Sequence, residues 1–430
     1  MAVIADNSLT KAKSKLFYGW IIVIAMTLIY AIVELPVFAF GIFVKPIAGE
    51  MGWTREAITR AFGLYMILLG VFGFIGGILV DRFGPRILNF IGTITIGLGL
   101  LIASRADSLL MFYLGYGIMG GVGFALIFVP NQTTLARWFI AKKGLALGIM
   151  FAGGGIGAFI ATPLLQACIA SFGWRTSFFI VGILILCIPV PASLFLRKDP
   201  KGMGLVPLGE AETGTGDKPG LQTQDFTLPE AIISRAYWYI NLAFALALLG
   251  FFMAQVNMVP HATDMGVPAA AAALALGIAS GCNAFGRLFM GGVSDRIGTK
   301  RSFYICLGLG AITLFCLIPV SSASMMYVFV VFFGIAYGGM APQAARMYSE
   351  LFGLKAMGAI MGVATLLTML GAAFGPVLGG LIYDKTGSYA PAFITGGISM
   401  SVAIFLVSIV KAPTKGTTRQ HRTEGVNSEV

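Results

Sequence analysis

One ten-residue pattern occurs twice in this chain, as GILVDRFGPR at residues 77–86 and as GGVSDRIGTK at residues 291–300. The two copies are 214 positions apart, about half the length of the chain. Glycines elsewhere keep the same offset: Gly144, Gly148 and Gly157 answer to Gly358, Gly362 and Gly371. Since each copy of the pattern ends a long apolar segment, the chain is predicted to be two copies of one membrane-embedded unit.

The apolar segments are long enough to cross a bilayer. The chain is 57% hydrophobic and only 11% charged, which excludes an ordinary soluble protein. A membrane helix needs roughly 20 apolar residues, and twelve segments qualify. These are residues 17–44, 57–80, 87–104, 109–130, 144–167, 174–196, 236–258, 271–293, 302–320, 324–347, 356–383 and 390–411, numbered here as spans 1 to 12. The predicted fold class is an all-α membrane protein with two pseudo-symmetric halves of six transmembrane helices.

The positive charges indicate the orientation of the chain. Its formal net charge is +11, and most of its 29 Lys and Arg residues lie in segments on one face of the predicted topology. This asymmetry is typical of a cytoplasmic face, so both termini are predicted to be cytoplasmic. The predicted setting is the plasma membrane (inner membrane, if bacterial), with the lipid bilayer and no nucleic acid as partner.

Polar segments divide the chain. We predict an N-terminal six-helix half at 1–196, a cytoplasmic linker at 197–235, a C-terminal half at 236–411 and a cytoplasmic tail at 412–430. The linker has too few apolar residues to fold alone, so we expect mostly disorder with a short interfacial helix near 228–234.

No catalytic or metal-binding motif is recognisable. The chain lacks GxxxxGK, HExxH and GxSxG sequences, and its five cysteines show no metal-ligand spacing. The sequence therefore predicts no enzyme, no cofactor and no metal, and it disfavours the alternative of a membrane sensor.

The doubled pattern GxxxDRxGxR resembles the loop signature of the major facilitator superfamily. Four further segments resemble the monocarboxylate transporters and their bacterial relatives, which include the oxalate and formate exchangers. They are FYGW at 17–20, FAFGIF at 38–43, ARWFIAKKGLALG at 136–148 and NAFGR at 283–287. The resemblance covers essentially the whole chain and implies secondary transport, in which two halves rock about a central site.

The signature residues are candidates for gating. The aspartates of the signature can pair with neighbouring arginines or cap a facing helix end, and such contacts would stabilise the outward-open state. Alternatively, its basic residues only fix the topology. The six candidates are Asp81, Arg82, Arg86, Asp295, Arg296 and Lys300.

One arginine lies deep inside a span. Arg287 is eight residues before Asp295, roughly 12 Å from the end of span 8 and so near the middle of the bilayer. Its burial costs about 2.5 to 3.5 kcal/mol, and its planar guanidinium group can donate two parallel hydrogen bonds to a carboxylate. Asn283, one turn away on the same face, can donate a second hydrogen bond. The resemblance implies that Arg287 binds the substrate carboxylate; an ion pair with Glu34, or snorkelling to the cytoplasm, is the alternative.

The number of central cations indicates how many carboxylates the substrate has. An oxalate-type carrier is expected to present a second cation from span 11, but residues 362–375 contain no Lys, Arg or His. One cation indicates a monocarboxylate such as lactate or pyruvate. Four residues are candidates to line the cavity, although packing is the favoured alternative for each of them: Tyr30, Phe128, Tyr337 and Leu366.

The usual proton relay is absent. In animal members of the family, coupling is ascribed to a Lys in span 1 and an Asp one turn before the span 8 Arg, but here these positions hold Phe38 and Asn283. Proton coupling then needs another group, and the candidates are Glu34, His261 and Asp264. Burial favours the protonated form of Glu34, which could instead be a structural partner or kink residue, whereas His261 is expected in a solvated loop.

The sequence thus predicts a proton-coupled symporter of small monocarboxylates. The proton could also travel with the substrate. An anion exchanger of the oxalate and formate type is the main alternative, and a sugar or drug carrier on the same fold is a lesser one. The sequence fixes no oligomeric state, and a monomer is compatible with it.

Overall fold

The fold is a bundle of transmembrane helices. The computed structural model describes residues 17–140, 142–208, 226–353 and 356–413. Ten helices in these ranges are long and apolar enough to cross a membrane. Two of them have 50 residues each, which corresponds to about 75 Å and is more than twice the thickness of the hydrocarbon core. Each of the two breaks at a glycine with non-helical backbone angles, Gly84 or Gly173, so the twelve predicted spans are present.

The bounds of the spans are close to those predicted. Span 1 is Tyr18–Phe38, spans 2 and 3 are Arg55–Ser104, span 4 is Leu109–Trp138, spans 5 and 6 are Gly144–Ser193, span 7 is Arg235–Asp264, span 8 is Ala269–Ile297, span 9 is Thr299–Leu317, span 10 is Ala323–Phe352, span 11 is Met357–Thr386 and span 12 is Ala390–Ile409. We call the end of the bundle that holds the two signatures the motif end, and the opposite end the far end.

Span 1 is interrupted in its far half. Its helix ends at Val33, resumes at Leu35–Phe38 and is followed by the helix Gly41–Met51. Pro36 explains the break, because proline has no N–H to donate and its ring clashes with the preceding turn. Glu34 is therefore located at an irregular point of the backbone, deep in the bundle.

The repeat is visible in the backbone itself. Three pairs of glycines with positive φ, which glycine adopts without steric cost, are each separated by the offset of the sequence repeat. The pairs are Gly52 and Gly266 (67° and 88°), Gly84 and Gly298 (74° and 88°), and Gly173 and Gly387 (82° and 69°). The two halves therefore turn at the same points.

Spans 2, 5, 8 and 11 form the interface between the halves. Span 5 packs against spans 1 and 8, and span 11 packs against spans 7 and 2. A side chain at Gly157 would overlap the carbonyl of Ala31, and one at Gly371 would overlap the carbonyl of Ala245. These close backbone approaches, again at the repeat offset, need small residues, and they place spans 1, 5 and 8 around a common centre.

The predicted helix in the linker is confirmed. It spans Leu228–Ile233 and starts with a capping box between Thr227 and Glu230.

The disorder expected for most of residues 197–235 is not seen in the described part that follows span 6. Lys201–Met203 form a 3-10 turn, and the Leu208 N–H donates to the Trp138 carbonyl at 3.0 Å, so backbone bonding orders this stretch. Residues 209–225 of the linker and 414–430 of the tail are outside the described residues.

Candidate functional site

The guanidinium of Arg287 is unpaired at the centre of the bundle. Its Cζ atom is 4.9 Å from the centroid of the Phe151 ring on span 5. Its Nε atom is buried and has no hydrogen-bond partner, and no salt bridge to Arg287 occurs among the described residues. A cation held in this way can bind an anion through charge-assisted hydrogen bonds.

The amide of Asn283 presents a second free donor. Asn283 lies one helical turn before Arg287 and is only 2% exposed, and its Nδ2 atom is buried without an acceptor. Gly338 of span 10 packs closely against the Asn283 backbone, which supports this part of span 8. The i, i+4 spacing on a helix puts both side chains on one face.

The carboxyl of Glu34 faces the same centre. Glu34 is 5% exposed and its Oε2 atom has no hydrogen-bond partner. This oxygen lies directly against Gly154 of span 5, where a side chain would collide with it. Glu34 is near enough to Arg287 for their charges to interact, yet no salt bridge joins them in the described structure.

The hydroxyl of Tyr65 is a further unpartnered group. It is buried without a hydrogen bond and is close enough to interact electrostatically with Glu34. A buried polar group left unsatisfied costs about 1 to 3 kcal/mol. Four such groups lie on spans 1, 2 and 8, and a polar ligand could satisfy them.

Aromatic rings surround the polar groups. Tyr30 is fully buried, donates a hydrogen bond of 3.2 Å to the Phe128 carbonyl and packs against the Phe151 ring. Tyr337 stacks on Phe251 with 3.3 Å between ring centroids. Both tyrosines are close enough to interact electrostatically with Arg287. The site therefore has a polar centre and an apolar wall.

Three of the four predicted lining residues lie at the site. Tyr30, Phe128 and Tyr337 belong to the aromatic wall, whereas the described contacts of Leu366 are with Gly70 of span 2. Phe151 and Gly154 were missed by the sequence analysis. The glycine-rich run that follows Phe151 signals a close approach by another group, but it does not say that the group is Glu34.

The expectation that His261 is solvated is wrong. Span 7 continues to Asp264, and His261 is 4% exposed. Its Nε2 atom is 3.1 Å from the Leu317 carbonyl, and its ring packs edge-on against Phe393. The reason is that the apolar residues on either side of His261 are buried in the bundle, so the helix extends beyond the predicted end.

Asp264 joins the two halves at the far end. Its carboxylate binds Lys45 at 2.9 Å and Arg55 at 2.6 Å, both from the N-terminal half. The Arg55 guanidinium also lies over the Tyr383 ring, 3.7 Å from its centroid. Asp384 accepts hydrogen bonds from the backbone N–H groups of Arg55 and Glu56, at 3.2 and 2.8 Å. We call Lys45, Arg55, Asp264, Tyr383 and Asp384 the far-end cluster.

The far-end cluster closes one end of the bundle. Within the described residues, the side-chain hydrogen bonds between the halves all belong to this end; besides the cluster, Lys45 bonds Thr263, Arg55 bonds Tyr389 and Gln255 donates to the Phe38 carbonyl at 3.1 Å. These contacts hold the two halves together at the far end.

The signature residues form contacts within each half. Asp81 pairs with Arg137 at the end of span 4. Lys300 donates to the carbonyls of Ser408 and Val410 at the end of span 12, both at 3.2 Å. Arg82, Arg86 and Arg296 are exposed. The side chain of Asp295 is outside the described part of the structure.

Comparisons with known sequences agree with this architecture. The family model of the Major Facilitator Superfamily matches residues 26–281 and 240–429. Monocarboxylate transporter 13 of Rattus norvegicus is 28% identical over 386 residues, covering 88% of this chain and 86% of the relative. Monocarboxylate transporter 4 of Mus musculus is 28% identical, covering 88% and 80%. An uncharacterized MFS-type transporter of Bacillus subtilis, YcxA, is 26% identical, covering 82% and 85%.

The fold is also that of solved transporters. A bacterial homolog of the human lysosomal transporter Spinster, in an inward-facing and unoccupied conformation, superposes with a TM-score of 0.68. The match covers 92% of this chain and 96% of that chain, at 16% sequence identity. At this identity the likeness shows the fold alone.

Proposed function

Since the chain belongs to the major facilitator superfamily, whose members are transporters rather than enzymes, we propose that it carries small monocarboxylates across the plasma membrane by alternating access. The observation that carries the proposal is the unpaired Arg287 guanidinium beside the unpaired Asn283 amide at the centre of the bundle. A carboxylate satisfies both donors at once. Two relatives that are named as monocarboxylate transporters support the same substrate class.

The geometry favours a substrate with one carboxylate and a short apolar body. Arg287 supplies a single central cation, and the far-end cations Lys45 and Arg55 are already paired with Asp264. The rings of Tyr30, Phe151 and Tyr337 leave an apolar wall for the rest of the molecule. Lactate and pyruvate meet these requirements.

Alternating access gives the two ends opposite roles. With the motif end and both termini in the cytoplasm, as the positive charges indicate, the far-end cluster seals the outer side. Rocking of the halves 1–196 and 236–411 would break this cluster and bring the motif ends together. The linker 197–235 would connect the halves, and the tail 412–430 would remain in the cytoplasm. The signature residues are then placed to stabilise the outward-open state.

Glu34 offers a route to proton coupling. An unpaired ionised group is costly to bury, so the site should reorient mainly when its net charge is zero. The charge is zero when Arg287 faces ionised Glu34 in the empty site. It is zero again when Arg287 holds the anion and Glu34 holds a proton. One proton would then cross with each anion.

The other two candidates are less suited to carry the proton. His261 is bonded to the Leu317 carbonyl, and Asp264 is held by two cations. An anion exchanger is the second candidate function. It is favoured by the absence of an ion pair between Arg287 and any carboxylate in the described structure. An empty carrier whose Arg287 stays uncompensated would not reorient.

Uptake of radiolabelled L-lactate into proteoliposomes tests the function directly. Stimulation by an inward proton gradient in empty vesicles would support symport, and uptake only into lactate-loaded vesicles would support exchange. No uptake in either case would contradict the substrate class.

Replacement of Gly154 by alanine should displace the Glu34 carboxyl. The added Cβ would overlap Oε2, which is the movable end of a side chain, so the protein should still fold. Proton-driven uptake should fall about tenfold, because the displaced carboxyl no longer compensates the buried charge of Arg287. Gly144→Ala is the matched control, since a Cβ at this position of span 5 meets nothing within 4 Å. Equal loss in both variants, measured as initial uptake rates, would show that helix packing rather than Glu34 is responsible.

Replacement of Asp264 by asparagine should favour opening of the far end. The variant loses two ion pairs between the halves, and partly exposed pairs contribute about 0.2 to 1 kcal/mol each, so the far-open population should rise roughly fivefold. Distances between spin labels at positions 51 and 265, in a background without the native cysteines, measure it. Glu56→Gln breaks the Arg60 pair, which lies within one half, and should leave the distances unchanged. An unchanged distance distribution in Asp264→Asn would show that the far-end cluster does not control opening of the far end.

A further inference from the structure

A basic cleft lies at the motif end of the N-terminal half. It has a volume of about 250 Å³ and is formed by the turn around Gly84, between spans 2 and 3, and by residues 196–198, just after span 6. Four of its lining residues are cations: Arg82, Arg86, Arg197 and Lys198. We call this feature the basic cleft.

The four cations have no carboxylate partner. None of the salt bridges among the described residues includes any of them. Lys198 donates to the backbone carbonyl of Asp81 at 2.6 Å, and Arg197 donates only to carbonyls of its own segment. Like charges gathered around one cleft repel each other, and an anion bound there would offset the repulsion.

The cleft opens onto an apolar, exposed surface. Phe83 and Ile87, which line it, are 45% and 47% exposed, and Phe195, just after span 6, is 55% exposed. In a membrane, such side chains face lipid. A ligand that fits both features has an anionic head and apolar chains. We propose that the basic cleft binds the phosphate of an anionic phospholipid whose acyl chains lie along spans 3 and 6.

In the second half, three of the four cations have basic counterparts at the repeat offset, whereas Ala412 replaces Lys198. Lys300 occupies the position that corresponds to Arg86, but its ammonium group is used by the carbonyls at the end of span 12. Arg86 has no such partner in the described structure. With one cation fewer, and with Lys300 bound to the end of span 12, the second half lacks the fourfold cationic lining of the basic cleft.

Native mass spectrometry of the purified protein tests the proposal. The protein in neutral detergent is titrated with phosphatidylglycerol, with phosphatidylcholine of the same chains, and with inorganic phosphate. We expect preferential binding of phosphatidylglycerol, weakened about fivefold for each cation removed, as in Arg86→Gln and Arg82→Gln. Arg86→Lys should keep most of the affinity. Arg301→Gln, which removes an exposed cation at the same end of the other half, should leave it unchanged.

Three results would overturn the proposal. Equal binding of the two lipids would exclude recognition of the negative charge. An equal loss of phosphatidylglycerol affinity in Arg301→Gln would show that binding depends on the overall net charge rather than on the basic cleft. Binding of inorganic phosphate as tight as that of phosphatidylglycerol would show a soluble anion site instead. Each variant is first checked for a normal thermal unfolding profile, so that a loss of binding is not a loss of fold.

Discussion

The Arg287→Lys variant should lose about 10- to 100-fold in lactate uptake at low lactate concentration while reaching the membrane in normal amounts. Lysine keeps the charge but not the planar fork that can donate two parallel hydrogen bonds to a carboxylate. Hydrogen bonds to a charged group contribute about 1.5 to 3 kcal/mol, which gives this range. The stacking of the guanidinium over Phe151 is lost as well.

The matched control for Arg287→Lys is Arg301→Lys, the same chemical change at an exposed position of the second half. It should transport normally. Uptake is measured together with lactate binding to purified protein, because a transporter that binds normally but does not turn over has lost a conformational step instead. Near-normal uptake and binding by Arg287→Lys would contradict a carboxylate site at this residue.

Much of this site was predictable because membrane burial makes polar residues conspicuous. Arg287 stands out as the basic residue predicted near the middle of a span, and Asn283 follows from helical spacing alone. The twelve spans and the repeat could be predicted for a similar reason: hydropathy and a fixed offset are properties of the linear sequence.

The features that sequence analysis missed depend on contacts between distant segments. Glu34 lies against Gly154, and Asp264 is held by Lys45 and Arg55 of the other half. No local pattern relates residues more than a hundred positions apart. His261 was misplaced because local polarity suggested a loop, whereas its burial is decided by packing against span 9 and span 12.

The Glu34→Gln variant should change the type of transport rather than abolish it. Glutamine is neutral at every pH, so the loaded site, with Arg287 and the anion, still has zero net charge and can reorient. The empty site keeps the uncompensated charge of Arg287 and should stall, because an unpaired buried charge is costly. We therefore expect proton-driven net uptake to fall by about tenfold or more, while exchange of lactate for lactate stays within about twofold of the unmodified protein.

The pH dependence separates this mechanism from a structural role for Glu34. As the outer pH falls, Glu34 gains its proton more often and net uptake by the unmodified protein should rise; the Glu34→Gln profile should be flat. Glu50→Gln, which removes an exposed far-end carboxylate bound to Arg175, should keep the normal profile. If Glu34→Gln retains the pH dependence, the proton moves by another route, and a loss of exchange together with uptake would instead make Glu34 a packing residue. Only the combination of preserved exchange and lost proton drive identifies the carboxyl as the group that compensates Arg287 in the empty carrier.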